Sequence, residues 1–261
     1  MKTSSILLLT ILLVACENSS KDELPKVEET LFRSDFPEGE PFLDYKDSIE
    51  RSDELEDVLS LEFTSNEGVI ISSSAKVDPS GDVQMIKLHK EFENTIDEEL
   101  FYYRNGLKLI TLKANITFSE DNNYYSETIT FYGDTGNVIY SGVRNEIDPD
   151  SLETRRFSKI KSTILDDSVP LQLLKQEGPF QTNFLSTAFA EEQEKLFIVV
   201  GALDRSFTST LAIDKKNRLI ENILQNQEKY VGAQLKIEFM HTTQTDGFSF
   251  QTLLNAELIE K

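Results

Sequence analysis

A phrase that occurs twice sets the strongest limit on how this chain can fold. Phe101-Tyr102-Tyr103-Arg104-Asn105-Gly106-Leu107-Lys108-Leu109-Ile110 places Asn-Gly between two apolar runs. That is the strongest short-range hairpin signal, because both turn residues accept positive φ. Further on, Phe131-Tyr132-Gly133-Asp134-Thr135-Gly136-Asn137-Val138-Ile139 repeats the aromatic pair, turn glycine and aliphatic pair. Two copies are too few for a solenoid and read as successive hairpins of one antiparallel meander. The text from about Leu55 to Asn145 agrees. Val69 to Val77 and Val83 to Phe92 are strand-like runs joined by Asp78-Pro79-Ser80-Gly81, where Pro presets one corner of a turn and Gly accepts the left-handed position.

Asp148-Pro149 then opens a helix, with Asp as N-cap and Pro at the first helical position. Phe157, Ile160 and Ile164 continue it as a stripe that would cover one sheet face. Pro170 and Gly178-Pro179 mark a boundary. Beyond it, Phe180 to Ala190 and Leu196 to Leu203 read as strands, and Phe207, Ser209, Leu211 and Ile213 alternate on a third. A helix follows, with Asn217 as N-cap, Leu219, Ile220, Ile223 and Leu224 on one face and Gly232 ending it. Leu235, Ile237 and Phe239 form a fourth strand; Phe250, Thr252, Leu254, Ala256 and Leu258 form a fifth.

The order β-β-β-α-β-β over about a third of the chain, with the junction Tyr230-Val231-Gly232-Ala233-Gln234-Leu235-Lys236-Ile237, resembles an OB-fold. The resemblance is one of strand order, without a diagnostic motif. It implies a small barrel that binds oligonucleotides or oligosaccharides on the face of its second and third strands. Residues 180–261 carry eight basic and eleven acidic side chains and no basic stripe, which favours an oligosaccharide or a protein over a nucleic acid. Phe184, Phe189 and Phe207 are the candidate ligand-facing aromatics, with core packing the competing fate of each.

The amino-terminal end carries an address. Met1-Lys2 is followed by an apolar run, Ile6 to Ala15, broken only by Thr10 and too short to cross a bilayer, which takes about 20 residues. It ends Leu13-Val14-Ala15-Cys16, which resembles the lipobox of bacterial lipoproteins, although Val14 is bulkier than usual. The resemblance implies removal of residues 1–15, a diacylglycerol on the Cys16 thiol and acylation of the new amino terminus, together a stable membrane anchor. An ordinary cleaved signal and an uncleaved apolar anchor are the competing readings. Lys21-Asp22-Glu23 is similar to the lysine-acidic-acidic signal that some Gram-negative bacteria use to send lipoproteins to the cell surface. The periplasmic face and the cell surface both stay open.

A formal charge of −20, from 26 basic and 46 acidic residues, repels phosphate backbones and argues against nucleic acid as partner. Cys16 is the single cysteine, so neither an internal disulfide nor a multi-cysteine metal site can form. G-x-S-x-G, H-E-x-x-H, P-loop and G-x-G-x-x-G motifs are all missing from the sequence. His89 and His241 each fall inside an expected strand and in different expected domains, which weakens a joint metal site. Asp78-Pro79-Ser80-Gly81-Asp82, Glu120-Asp121-Asn122-Asn123 and Asp134-Thr135-Gly136-Asn137 carry calcium-type oxygen ligands without EF-hand spacing and read as turns. Asp47-Ser48-Ile49, Asp150-Ser151-Leu152 and Asp167-Ser168-Val169 are similar to Asp-Ser-aliphatic sites that some bacteria O-glycosylate, and equally to helix caps and linkers.

The expectation is a mainly β chain, all-β or α+β. It comprises a signal peptide at 1–15, a lipidated acidic tether at 16–50, and a β-meander with one covering helix at 51–178. A five-stranded OB-like barrel with one helix follows at 179–261. A flexible tether of that length spans about 30 Å. The function expected is a non-catalytic binding module in the bacterial outer membrane, held by acyl chains, using no cofactor or metal, and taking a glycan or protein. An envelope hydrolase with unidentified carboxylates and a periplasmic inhibitor or chaperone-like protein are the alternatives.

Overall fold

The computed structural model describes residues 32–191, 194–243 and 249–259; Cys16, Lys21, Asp22 and Glu23 lie outside the described residues. The chain is mainly β. Strands β1 (Glu56–Leu59) and β2 (Phe63–Ser65) flank one edge of β3 (Ile70–Val77). From β3 the chain runs as an antiparallel meander: β4 (Val83–Phe92), β5 (Thr95–Arg104), β6 (Leu107–Thr117), β7 (Tyr124–Tyr132) and β8 (Val138–Glu146). The β5–β6 turn has Asn105 and Gly106 at φ 53° and 74°, the two positive values a two-residue hairpin with strand-matched twist requires.

Strand periodicity divides the meander's side chains between two faces. On one, Met85, Tyr102, Ile110, Leu112, Ile129, Phe131 and Tyr140 pack with Leu43 and Ile49 of helix α1 (Glu40–Glu50). On the other, Ala75, Ile86 and Phe101 meet Leu171 and Leu174 of α3 (Ser168–Lys175). The first helix corrects the sequence reading, which placed residues 37–50 in the tether. Pro37 begins a 3-10 turn and Pro41 sits in the first turn of α1, where a missing N–H is harmless, so prolines taken as breakers are starters. Polar latches fix α1 in place. Tyr102 donates its hydroxyl to Glu50 at 2.5 Å, and Arg33 reaches Glu40, Asp44 and Asp47 at 2.9, 2.5 and 2.8 Å. Gly39 allows the close approach, since a Cβ there would lie 2.6 Å from the Phe131 ring.

The expected covering helix from Asp148 is also corrected. Asp148 does cap α2 (Pro149–Thr154), accepting from Ser151 N at 2.9 Å, but the helix stops there. Phe157 exchanges backbone hydrogen bonds with Arg33 and Asp35, both 3.0 Å, and β9 (Ser158–Lys159) adds to β8. Long-range pairing outcompetes the helical stripe, and Ile164 ends up 73% exposed.

Five further strands follow: β10 (Asn183–Ala190), β11 (Lys195–Gly201), β12 (Phe207–Ile213), β13 (Leu235–Thr243) and β14 (Ser249–Leu258). Helix α4 (Arg218–Gln225) lies between the third and fourth and is capped by Asn217, whose side chain accepts from Ile220 N at 2.9 Å; the short α5 (Gln227–Tyr230) follows it. Pairing runs β10-β11-β12-β14-β13, parallel between β12 and β14, and an Asn183–Gln234 bridge links the entrance of β13 back to β10. A bulge shifts the β13–β14 register, so Leu253 and Ala256 enter the core while Leu254 is 56% exposed, against the simple alternation expected.

The two halves share one sheet, in which fourteen strands are linked among the described residues. β2 pairs with β3 on one side and with β12 on the other, and Gly178-Pro179 falls in a 3-10 turn of the compact unit that begins at Phe32. Leu61, Phe63, Ile71 and Leu88 accordingly join Phe184, Ile198, Leu211, Ile223 and Leu253 in a single core.

Candidate functional site

Pairing places Ser72 of β3 opposite His89 of β4, and His89 opposite Glu98 of β5. Directly opposed residues share a face, so hydroxyl, imidazole and carboxylate stand in one row. Two residues along, Ser74 faces Lys87 on the same side. These side chains line a cavity of about 390 Å³, together with Leu59, Ser60 and His241 from the end of β13. Both histidines therefore reach one cavity although they are far apart in sequence. Only the shared sheet joins them, and no local sequence signal carries that information.

Glu98 is the electrostatic centre. It accepts from Lys87 Nζ at 2.6 Å and lies 3.2 Å from His89 Nδ1. The hydrogen bond with His89, followed by those interactions with Lys87, holds its carboxyl down at about 2 against the opposing effect of burial. It stays ionised and is a weak proton acceptor. Ser72, at the other end of the row, makes no hydrogen bond to His89 among the described residues. The next amide along, Ser73 N, donates to Ser60 Oγ at 2.7 Å, and Ser60 N in turn donates to Ser73 O at 2.8 Å. The N–H that would stabilise an oxyanion at Ser72 is thus already engaged. The row offers a polar ligand an ammonium, an imidazole and hydroxyls, and among the described residues no hydrogen bond links Ser72 to His89. Among the described residues no set of three or more His, Cys, Asp or Glu is placed to hold a metal ion.

The aromatics singled out from sequence part company. Phe184 is fully buried in the core, which takes its ring away from any ligand face. Phe189 is 61% exposed on β10. Phe207 packs on Phe180 with ring centroids 4.8 Å apart and lines a second cavity of about 390 Å³ with Asn66, Ile71, Lys90 and Ser206. The acidic loops serve as turns: Asp78 Oδ1 accepts from Ser80 N, Ser80 Oγ and Asp82 N, and the Ser80 hydroxyl foremost holds its carboxyl below the usual range. Ser48, Ser151 and Ser168 are all exposed. Ser72, Lys87 and Glu98 were missed, although Lys87 and His89 at i and i+2 on one strand were a legible hint of a shared polar face. No helix among the described residues is long and apolar enough to cross a membrane. Comparisons with protein-family models, curated proteins and solved structures found no match.

Proposed function

We propose that this is a non-catalytic binding protein of the bacterial envelope, anchored through acyl chains on Cys16 in the outer membrane, on its periplasmic face or at the cell surface. Its ligand is a glycan or a protein segment. One observation carries binding over turnover: Ser72 makes no hydrogen bond to His89 among the described residues, and the amide beside Ser72 is already given to Ser60. An activated serine needs a hydrogen bond that carries its proton to the base, and although Glu98 partners His89 Nδ1, among the described residues none runs from Ser72 to that imidazole. The strand order of residues 183–258, with its parallel third–fifth pair, supports an OB-like barrel fused to the meander through β2 and β12.

The test uses the full chain in detergent, incubated with glycans and proteins of the native envelope, reading both retention and reaction products by mass spectrometry. The reading expects a retained ligand recovered chemically unchanged. Products that form with the parent and vanish in Ser72→Ala would establish the hydrolase instead.

A further inference from the structure

We propose that the histidine cavity takes a sugar bearing one carboxylate, and that it holds this ligand more tightly as the pH falls below neutrality. This deepens the binding reading, on which it rests, by naming a ligand class and a control for that same site. The chain has two histidines in 261 residues, and both line the one cavity of about 390 Å³, although β4 and β13 supply them from different halves. Imidazole is the side chain whose ordinary charge change falls between about pH 5 and 8. Setting two of them in one cavity makes its charge, and with it the affinity for an anion, follow the proton concentration.

The groups open to a ligand are set by what the fold already uses. Glu98 engages one hydrogen of the Lys87 ammonium, at 2.6 Å, and leaves the others. Because Glu98 stays ionised, His89 directs Nδ1–H at it across 3.2 Å and keeps Nε2 for the cavity. A neutral imidazole shows a lone pair there and a protonated one an N–H. His241 makes no hydrogen bond among the described residues and lies edge-on to Phe239, with ring centroids 5.6 Å apart. Ser72 and Ser74 stand at alternate positions of β3 on one face, and their hydroxyls have no protein partner among the described residues. An ammonium and two imidazolium N–H groups suit a carboxylate. Hydroxyls beside them suit the rim of a sugar ring, which both donates and accepts.

With both imidazoles neutral the cavity carries no net positive charge. Lys87 is balanced by Glu98, and Lys76, on the same face of β3, by Asp57 of β1 at 3.7 Å. Glu91 follows His89 on that face of β4 and is exposed to solvent, which screens it. Further along the row Glu127 is paired with Arg144 at 2.6 Å, and the cross-strand partner of His241 is the uncharged Gln251. Protonating the two imidazoles therefore adds positive charge where the fixed charges cancel, while Glu98, held down at about 2, keeps its charge throughout. A carboxylate against the ring nitrogens favours the protonated form, and by reciprocity acidification favours the bound carboxylate. A peptide carboxyl terminus would instead be captured by unpaired backbone N–H groups. Here the Ser73 amide goes to Ser60 Oγ at 2.7 Å and β3 is paired with both β1 and β4, so the cavity meets its ligand with side chains.

The experiment follows the imidazole signals of the full chain in detergent by NMR, titrated with glucuronate and galacturonate at about pH 8 and about pH 5.5, either side of the ordinary histidine range. Glucose, galactose and trialanine, a peptide with a free carboxyl terminus, are run alongside. Both imidazole signals are expected to shift with at least one uronate, with a Kd about tenfold or more lower at the acid pH, and the neutral sugars are expected to gain nothing there. In His89→Gln and in His241→Gln the remaining imidazole reports on a folded cavity and should still shift, with a smaller gain on acidification. The double variant should bind with one Kd at both pH values. The inference is overturned if neither uronate moves the imidazole signals, if the Kd is the same at both pH values in the parent, or if trialanine binds as tightly as the uronates. Each of these results leaves the broader binding reading to its own retention experiment, which fails on turnover.

Discussion

Glu98 shows how far one side chain's surroundings can define a site. Its carboxyl lies near 2 in the fold against 4.5 when unperturbed, so it contributes stability that is complete above about pH 4.5 and fades as pH falls toward 2. With its side chain 29% exposed, solvent screening trims that contribution to on the order of 1–2 kcal/mol. Urea titrations of parent and Glu98→Gln across pH 2 to 7 should show a stability gap near neutrality that closes on acidification; a gap that is constant with pH contradicts the ion-paired assignment. Gly39 makes a steric counterpart. Gly39→Ala drives a methyl into the Phe131 ring, and overpacking of that kind costs about 1–3 kcal/mol, measurable as a lower urea midpoint. Neither role was legible in the sequence, because Glu98 is one acidic residue among 46 and Gly39 looks like part of a polar linker.

Among the elements, hairpins were the easiest to read. Asn105-Gly106 and the run Val83 to Phe92 announce themselves through turn chemistry and local alternation, and β4 begins and ends where the residues say it should. Local signals failed where a distant segment decided the outcome. Phe157 looked helical and was taken into pairing with residues 33–35, and Leu254 looked inward until a bulge turned it out. Helix α1 is the most consequential case, since Leu43 and Ile49 are buried on the meander. Leu43→Ala should destabilise the protein by about 2–5 kcal/mol, and amides of residues 44–50 should resist hydrogen exchange. Rapid exchange there together with an unchanged midpoint would return the segment to a tether.

At the scale of the whole molecule, the shared sheet is the feature that sequence segmentation could not supply. β2 is three residues long, yet it joins the meander to the strands of residues 183–258 and carries Phe63 into their common core. Parent protein should therefore unfold in one calorimetric transition, and Phe63→Ala should lower that single transition instead of splitting it; two separated transitions in the parent would mean two independent bodies. The candidate site follows the same rule, because the histidines meet only when both halves of the chain are folded together. The envelope binding role we propose further requires that this acidic body be held at a membrane. Intact mass spectrometry of the mature amino terminus tests that most directly: the account predicts a chain beginning at Cys16 with a thioether-linked diacylglycerol, and a free thiol or a retained leader would contradict it.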